Sequence, residues 1–275
     1  MDTKKNPWLT LSLLFLGLSV NNHLSLGADT ISANQSLSGD QTIVSAGGSF
    51  VLGFFKPGNA SKYYIGMWYS TSKVSIQTIV WVANRDKPVS DISSSVLRIS
   101  GGNLVLFNES QIPVWSTNLT STTSSSPVEA VLLDEGNLVV RDGSISSKYL
   151  WQSFDNPADT WLPGGKIAFN KITNEKQRLI SWKNQENPAP GLFNLELEAS
   201  TSSCVIVWNR SILYWTSGPW DGKIFSLVPE MRANYIYNFS YVNNTNESYF
   251  TYSLYNPSIF SRLVLRDSGQ MLYTC

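Results

Sequence analysis

The chain has few of the residues on which catalysis and metal binding usually depend. Its 275 residues include one histidine and two cysteines, and only 15% of them are charged, compared with about 25% in an average soluble protein. The one histidine, His23, lies near the N-terminus. Ser-His-Asp catalysis, Cys-His catalysis and histidine-based metal sites are therefore excluded from the rest of the chain, and we expect no metal and no cofactor.

Neither sign of charge is in excess, because 20 Lys and Arg residues balance 20 Asp and Glu residues. A nucleic-acid partner is therefore not expected, since such proteins usually carry a basic patch. We find no phosphate-binding glycine loop and no set of protein-kinase motifs. Asp155 and Asp159 have the residue type of a glycosidase pair, but they flank Pro157 and are more typical of turn caps. The chain is therefore not expected to be an enzyme.

The N-terminus has the pattern of a secretory signal. Lys4 and Lys5 precede an apolar run from Trp8 to Val20, and small residues follow at Gly27 and Ala28. The alternative is a membrane anchor, but the run is shorter than the roughly 20 residues that span a bilayer. We predict a signal peptide at 1–27, no membrane span and a secreted or extracellular protein.

Export would permit glycosylation and disulfide bonds. Cys204 and Cys275 could pair in that environment, although a terminal residue such as Cys275 is often poorly ordered. We therefore expect the domains to depend mainly on their apolar cores. Eight Asn-x-Ser/Thr sequons are candidate glycosylation sites: Asn34, Asn59, Asn108, Asn118, Asn209, Asn238, Asn243 and Asn246.

Short β-rich segments between turn residues fill the chain, and no long stretch has a helical period. Gly102-Asn-Leu-Val is followed by Trp115, and Gly136-Asn-Leu-Val is followed by Trp151. This repeat predicts a pseudo-symmetric all-β prism or barrel with a tryptophan core. The alternative is two hairpins that share common turn residues. A restart of the pattern after Gly165 suggests two domains, 28–150 and 151–275.

Several longer motifs occur in a characteristic order: Trp81–Asp86, Asp134–Val139, Trp151–Pro163 and Tyr214–Gly222. With them the chain resembles the extracellular part of plant G-type (bulb-type) lectin S-receptor-like kinases and S-locus glycoproteins. The resemblance implies a bulb-type lectin domain of β-prism II fold at 28–150. It implies a second, related β-prism-like S-locus glycoprotein domain at 151–275, which we expect to be truncated at its C-terminus. The serine/threonine kinase domain of full-length relatives is not found in this sequence.

In mannose-binding bulb lectins the sugar site resembles Gln-x-Asp-x-Asn-x-Val-x-Tyr. Asn103, Val105 and Phe107 fall on the last three positions in one segment, and Glu135, Asn137 and Val139 fall on the middle three in another. Both segments lack the Gln, and the Tyr is replaced by Phe107 or Arg141. Each lost hydrogen bond costs about 1–3 kcal/mol, while a millimolar site has only about 4 kcal/mol of binding energy. We therefore predict degenerate carbohydrate sites whose asparagines serve the fold.

Three functions remain open at this point. The resemblance favours a recognition module that binds a protein or peptide ligand or pairs as a homo- or hetero-dimer with a related ectodomain. In self-incompatibility relatives this region binds a pollen peptide, so the family role includes recognition of pollen. The second reading is a carbohydrate-binding lectin for mannose-type glycans in defence, and the third is a non-functional truncation product.

Overall fold

A computed structural model describes residues 28–59, 61–120, 127–145 and 147–274. The predicted signal peptide and Cys275 lie outside this range. The described residues form 23 strands and two short 3-10 helices, Ser153–Asp155 and Pro229–Ala233, with no α-helix among them. The predicted all-β fold class is confirmed, and the strands group into two three-sheet units.

The first unit consists of three antiparallel sheets of four strands each. In sheet order they are β1 (Thr30–Ile31), β10 (Val128–Leu132), β11 (Leu138–Asp142) and β12 (Tyr149–Gln152); β2 (Ser36–Leu37), β7 (Val96–Ser100), β8 (Asn103–Phe107) and β9 (Pro113–Ser116); and β3 (Thr42–Val44), β4 (Phe50–Phe55), β5 (Tyr64–Tyr69) and β6 (Ile79–Val82). Each sheet is a three-strand meander to which the segment 30–44 adds one short edge strand. Because β12 runs to Gln152, it crosses the predicted boundary at residue 150.

The second unit has two sheets of four strands and one of three. They are β13 (Thr160–Trp161), β22 (Arg262–Leu265) and β23 (Met271–Thr274); β15 (Lys176–Gln177), β14 (Lys166–Asn170), β21 (Glu247–Leu254) and β20 (Tyr237–Asn243); and β16 (Leu179–Asn184), β17 (Asn187–Glu198), β18 (Ser203–Trp208) and β19 (Ile212–Thr216). The predicted turn at Asn243–Asn246 joins β20 to β21. Among the described strands, none pairs with the outer edge of β23.

A tryptophan directly preceded by a β-bulge residue recurs in four sheets. The four are Trp81, Trp115, Trp151 and Trp215, and they lie opposite Met67, Leu106, Val140 and Ile206. The residue before each tryptophan is skipped in the strand pairing. In three of these sheets a hydroxyl two residues after the tryptophan accepts a hydrogen bond from a neighbouring-strand amide: Thr117 from Leu104, Ser153 from Leu138 and Ser217 from Cys204. The internal repeat is therefore structural, and it extends into the second unit.

The tryptophans of the first unit meet as predicted. The ring centroids of Trp81, Trp115 and Trp151 are 5.9–6.0 Å apart in edge-on arrangements, a favourable geometry for aromatic rings. Trp81 is 5% exposed, whereas its counterpart Trp215 in the second unit is 38% exposed. The repeat thus supplies a core residue in one unit and a surface residue in the other.

Hydrogen bonds that bridge long sequence separations hold the two units together. Arg85 donates from Nε to the carbonyl oxygen of Pro188 at 2.6 Å and from Nη2 to that of Ser181 at 2.7 Å. The Trp81 indole donates to the carbonyl oxygen of Asn156 at 2.8 Å. Arg85 therefore acts as a structural tie between the two units.

Asp159 lies beside this junction, where burial raises the pKa of its carboxyl group from 3.8 to about 6, although Arg85 and Arg262 act in the opposite direction. Between these pH values the folded protein retains a proton that the unfolded chain releases. We therefore expect the free energy of unfolding to fall as pH rises from 3.8 to about 6 and to level off above that range. In urea unfolding across this range, Asp159→Asn should flatten the profile. An equally steep profile in the variant would assign the pH dependence to another group.

Candidate functional site

The first degenerate sugar segment is occupied by contacts within the protein. The Asn103 Oδ1 atom accepts hydrogen bonds from Thr117 Oγ1 at 2.9 Å and from the Leu119 amide at 2.6 Å. Its Nδ2 atom donates to the carbonyl oxygens of Gly101 and Leu119 at 3.3 and 3.4 Å. Because both ends of this amide are already engaged, Asn103 fixes the loop after β9 instead of presenting free groups to a ligand.

The second segment is closed more completely. Asn137 is 3% exposed; its Oδ1 accepts from Ser153 Oγ and the Phe154 amide, each at 3.2 Å, and its Nδ2 donates to Gln152 Oε1 at 2.8 Å. Val139 is fully buried, and Glu135 is exposed in the turn before β11. Arg141, which replaces the tyrosine, pairs with Glu129 at 2.8 Å. Only the carboxylate of Glu135 is left as a surface acceptor at this position.

A cleft of about 990 Å³ lies between the two units. Its first-unit wall carries Phe107, Trp115 and Trp151 together with polar groups, and Ile180 and Pro190 face them from the second unit. The aromatic rings are half-buried. Val105 and Phe107, two of the predicted sugar-site residues, therefore line this cleft, although Val105 is largely covered by its neighbours.

The second unit exposes an apolar strand edge. All of β19 except Thr216 is exposed, including Ile212 at 50%, Leu213 at 61% and Tyr214 at 55%. The adjoining residues Leu192 and Trp208 are exposed as well. We call these residues, with Trp215, the β19 surface. β19 pairs only with β18 among the described strands, so its other side offers free backbone groups beside apolar side chains.

Other predicted residues are placed as follows. Trp220, in the motif Tyr214–Gly222, packs on Phe225 and Phe250 with ring centroids 5.1 and 5.6 Å away. Asp155 accepts a hydrogen bond from the Gln152 side chain. Seven of the eight sequon asparagines are exposed, and Asn108 is half-buried; their glycosylation stays a prediction.

The thiol of Cys204 is buried, and burial raises its pKa to about 12. It forms no disulfide with any of the described residues. Because Cys275 lies outside them, the Cys204–Cys275 bond stays a prediction.

Within the described ranges, no helix has the length and apolarity needed to cross a bilayer. In the same part of the chain, no group of three or more His, Cys, Asp and Glu side chains is arranged to hold a metal ion.

Sequence comparisons identify two families along the chain. Residues 78–183 match the D-mannose binding lectin family, and residues 215–275 match the S-locus glycoprotein domain. A G-type lectin S-receptor-like serine/threonine-protein kinase of Arabidopsis thaliana is 57% identical over 96% of this chain, which covers 32% of the kinase. S-locus-specific glycoprotein S6 of Brassica oleracea is 42% identical over 88% of this chain, which covers 56% of that glycoprotein. The chain thus spans about a third of the kinase and just over half of the glycoprotein.

Two solved lectin structures also align with the chain. A monomeric mannose-binding lectin from Gastrodia elata aligns at 17% identity with a TM-score of 0.35, covering 46% of this chain and 96% of the lectin. The two-domain Scilla campanulata agglutinin, described as a fetuin-binding protein, aligns at 13% identity with a TM-score of 0.27, covering 89% of this chain and 78% of the agglutinin.

Proposed function

The chain belongs to the family of plant G-type lectin S-receptor-like kinases and S-locus glycoproteins, and we propose that it is an extracellular recognition module for a protein or peptide. The sequence resemblance is thereby confirmed, whereas the ligand class is our proposal. The observation that carries it is the β19 surface. Contiguous apolar side chains on a protein surface commonly mark sites of protein interaction.

A protein ligand suits this surface for two reasons. Leu213 and Tyr214 offer apolar area, and the Tyr214 ring is held edge-on against Phe193 with centroids 5.0 Å apart, so little side-chain entropy is lost on binding. The unpaired side of β19 can accept an extended peptide or the edge strand of another ectodomain by β-augmentation. A sugar would use few of these features, because it needs several hydrogen-bonding side chains.

The closed state of the two degenerate segments also favours a protein ligand over mannose. A sugar hydroxyl at Asn103 or Asn137 would have to displace hydrogen bonds that the fold uses. The loss would cost about 1–3 kcal/mol for each buried group left unpaired. This cost is comparable to the roughly 4 kcal/mol available to a millimolar site.

The proposal can be tested with a double substitution of Ile212→Thr and Leu213→Ser. It removes apolar area from the surface, and Thr at position 212 is a residue that strands accept well. The matched control substitutes Ile76→Thr and Ile172→Thr, at isolated sites that are 75% and 70% exposed. The probes are the chain itself and the extracellular part of the Arabidopsis kinase relative, measured by surface-based binding assays. We expect binding to at least one probe and a loss of at least tenfold in the β19 variant only.

A glycan array run in parallel tests the alternative hypothesis that the chain is a carbohydrate-binding lectin. Equal protein binding by both double variants would contradict the role of the β19 surface. Mannose-type signal that disappears in Glu135→Ala or Phe107→Ala would instead establish a working lectin site at the degenerate segments.

A further inference from the structure

One sequon differs from the other seven in its position. Asn118 is exposed and lines the cleft between the units, whereas the other seven sequon asparagines do not line it. The sequon Asn118-Leu119-Thr120 begins two residues after the end of β9, the strand that carries Trp115. A glycan on Asn118 would therefore begin at the rim of an aromatic cleft.

The attachment point is held rigidly. The Asn118 backbone has a φ of 53°, and its amide donates to Ser116 Oγ at 3.2 Å. The next residue, Leu119, is bound at both its amide and its carbonyl by the Asn103 side chain. The Asn118 side chain itself makes no hydrogen bond to a described residue, so its amide can carry a glycan without loss of a native hydrogen bond. The hydrogen bonds of the Asn103 side chain thus fix the position of the sequon as well as that of the loop.

The cleft wall has the chemistry of a sugar-binding surface. Trp115 and Trp151 are half-buried, and neither indole N–H donates to a described residue, in contrast to that of Trp81. Pyranose rings have an apolar face that packs on aromatic rings and hydroxyl and acetamido groups that pair with polar ones. Ser116 and Asn156 lie in the same cleft and supply such groups.

We propose that the N-glycan on Asn118 folds back into this cleft, with its first N-acetylglucosamine residues against Trp115 and Trp151. Covalent attachment makes the contact intramolecular, with an effective concentration in the millimolar range or above. Individually weak sugar contacts are therefore sufficient. The glycan fills the space between the units, and the cleft is not open to an external ligand. This proposal is independent of the one for the β19 surface.

The experiment uses the full chain secreted from plant or insect cells, with the variants Asn118→Gln and Thr120→Ala, which remove the same sequon in two ways. The control is Asn209→Gln, which removes an exposed sequon at the turn between β18 and β19. Site-resolved mass spectrometry first measures the occupancy of Asn118. Under native conditions, we expect peptide N-glycosidase to release the Asn118 glycan at least tenfold more slowly than the Asn209 glycan.

A second measurement detects the contact itself. The indole N–H resonances of Trp115 and Trp151 should shift in Asn118→Gln or Thr120→Ala and stay unchanged in Asn209→Gln. A soluble N-glycan core, Man3GlcNAc2, should perturb these resonances in the Asn118 variants only. Any of three results would overturn the proposal: an unmodified Asn118 in the folded secreted protein, equal release rates at the two sites, or equal perturbation of the wild type by soluble glycan.

Discussion

Alanine at Trp81 is expected to lower the free energy of unfolding of the first unit by about 4 kcal/mol, the middle of the range for buried tryptophan. The same change at Trp215 should cost about 0.5 kcal/mol, as at an ordinary surface position. Removing the Trp81 indole leaves a cavity between Trp115 and Trp151 and leaves the carbonyl oxygen of Asn156 without its donor. Trp215 occupies the same place relative to its β-bulge but is 38% exposed.

Urea unfolding followed by far-UV circular dichroism measures the stability of the Trp81→Ala and Trp215→Ala variants. Hydrogen exchange assigns each unfolding transition to one of the two units. Trp208→Ala serves as a matched control, because Trp208 is exposed to the same degree as Trp215. Similar losses at Trp81 and Trp215 would mean that the position in the repeat, and not burial, sets the contribution of the tryptophan.

Alanine at Asn137 is expected to cost about 3 kcal/mol, because it leaves the buried Ser153 hydroxyl and the Phe154 amide without their shared acceptor. Asn103→Ala should cost about 1 kcal/mol, since Asn103 is half-buried and water can replace part of its network. The difference would show that these asparagines, which occupy the position of a sugar-contacting residue, now contribute to stability.

Thermal unfolding of both variants beside Glu135→Ala provides the measurement, because Glu135 is exposed in the adjoining turn and its removal should be nearly neutral. A neutral Asn137→Ala variant would contradict the structural role and reopen the question of sugar binding at the second segment.

The sequence predicted much of this fold because its signals are local. The motif Gly-Asn-Leu-Val before a tryptophan predicted two strand pairs, β8 with β9 and β11 with β12, because turn residues and alternating apolar side chains determine those hairpins. The short strands β1, β2 and β3 were missed, because two or three residues carry no period. The extension of the repeat to Trp215 was missed as well, although the recurrent Trp-x-Ser/Thr spacing at Trp115, Trp151 and Trp215 was a usable signal.

The candidate sites were less predictable than the strands. Degeneracy of the sugar segments was visible in the sequence, because it concerns residue types at fixed spacings. The cleft was not visible, because it depends on contacts such as Arg85 with Pro188 that span 103 positions. The exposure of β19 was also hidden, since Ile212–Thr216 has the composition of a core strand and becomes a surface only through its place at the edge of a sheet.

The first unit can complete its folding only after most of its chain has been synthesised. β1 pairs with β10, so Thr30 cannot form its strand pairing until Val131 has been synthesised. Likewise, the tryptophan cluster cannot form around Trp81 until Trp151 has been added. Folds dominated by such distant contacts form slowly, because loop-closure entropy must be overcome first. A nascent chain that ends before residue 152 therefore lacks part of the sheet formed by β1, β10, β11 and β12. We expect N-terminal fragments that end before β12 to stay unfolded and susceptible to proteases, whichever ligand the finished protein recognises.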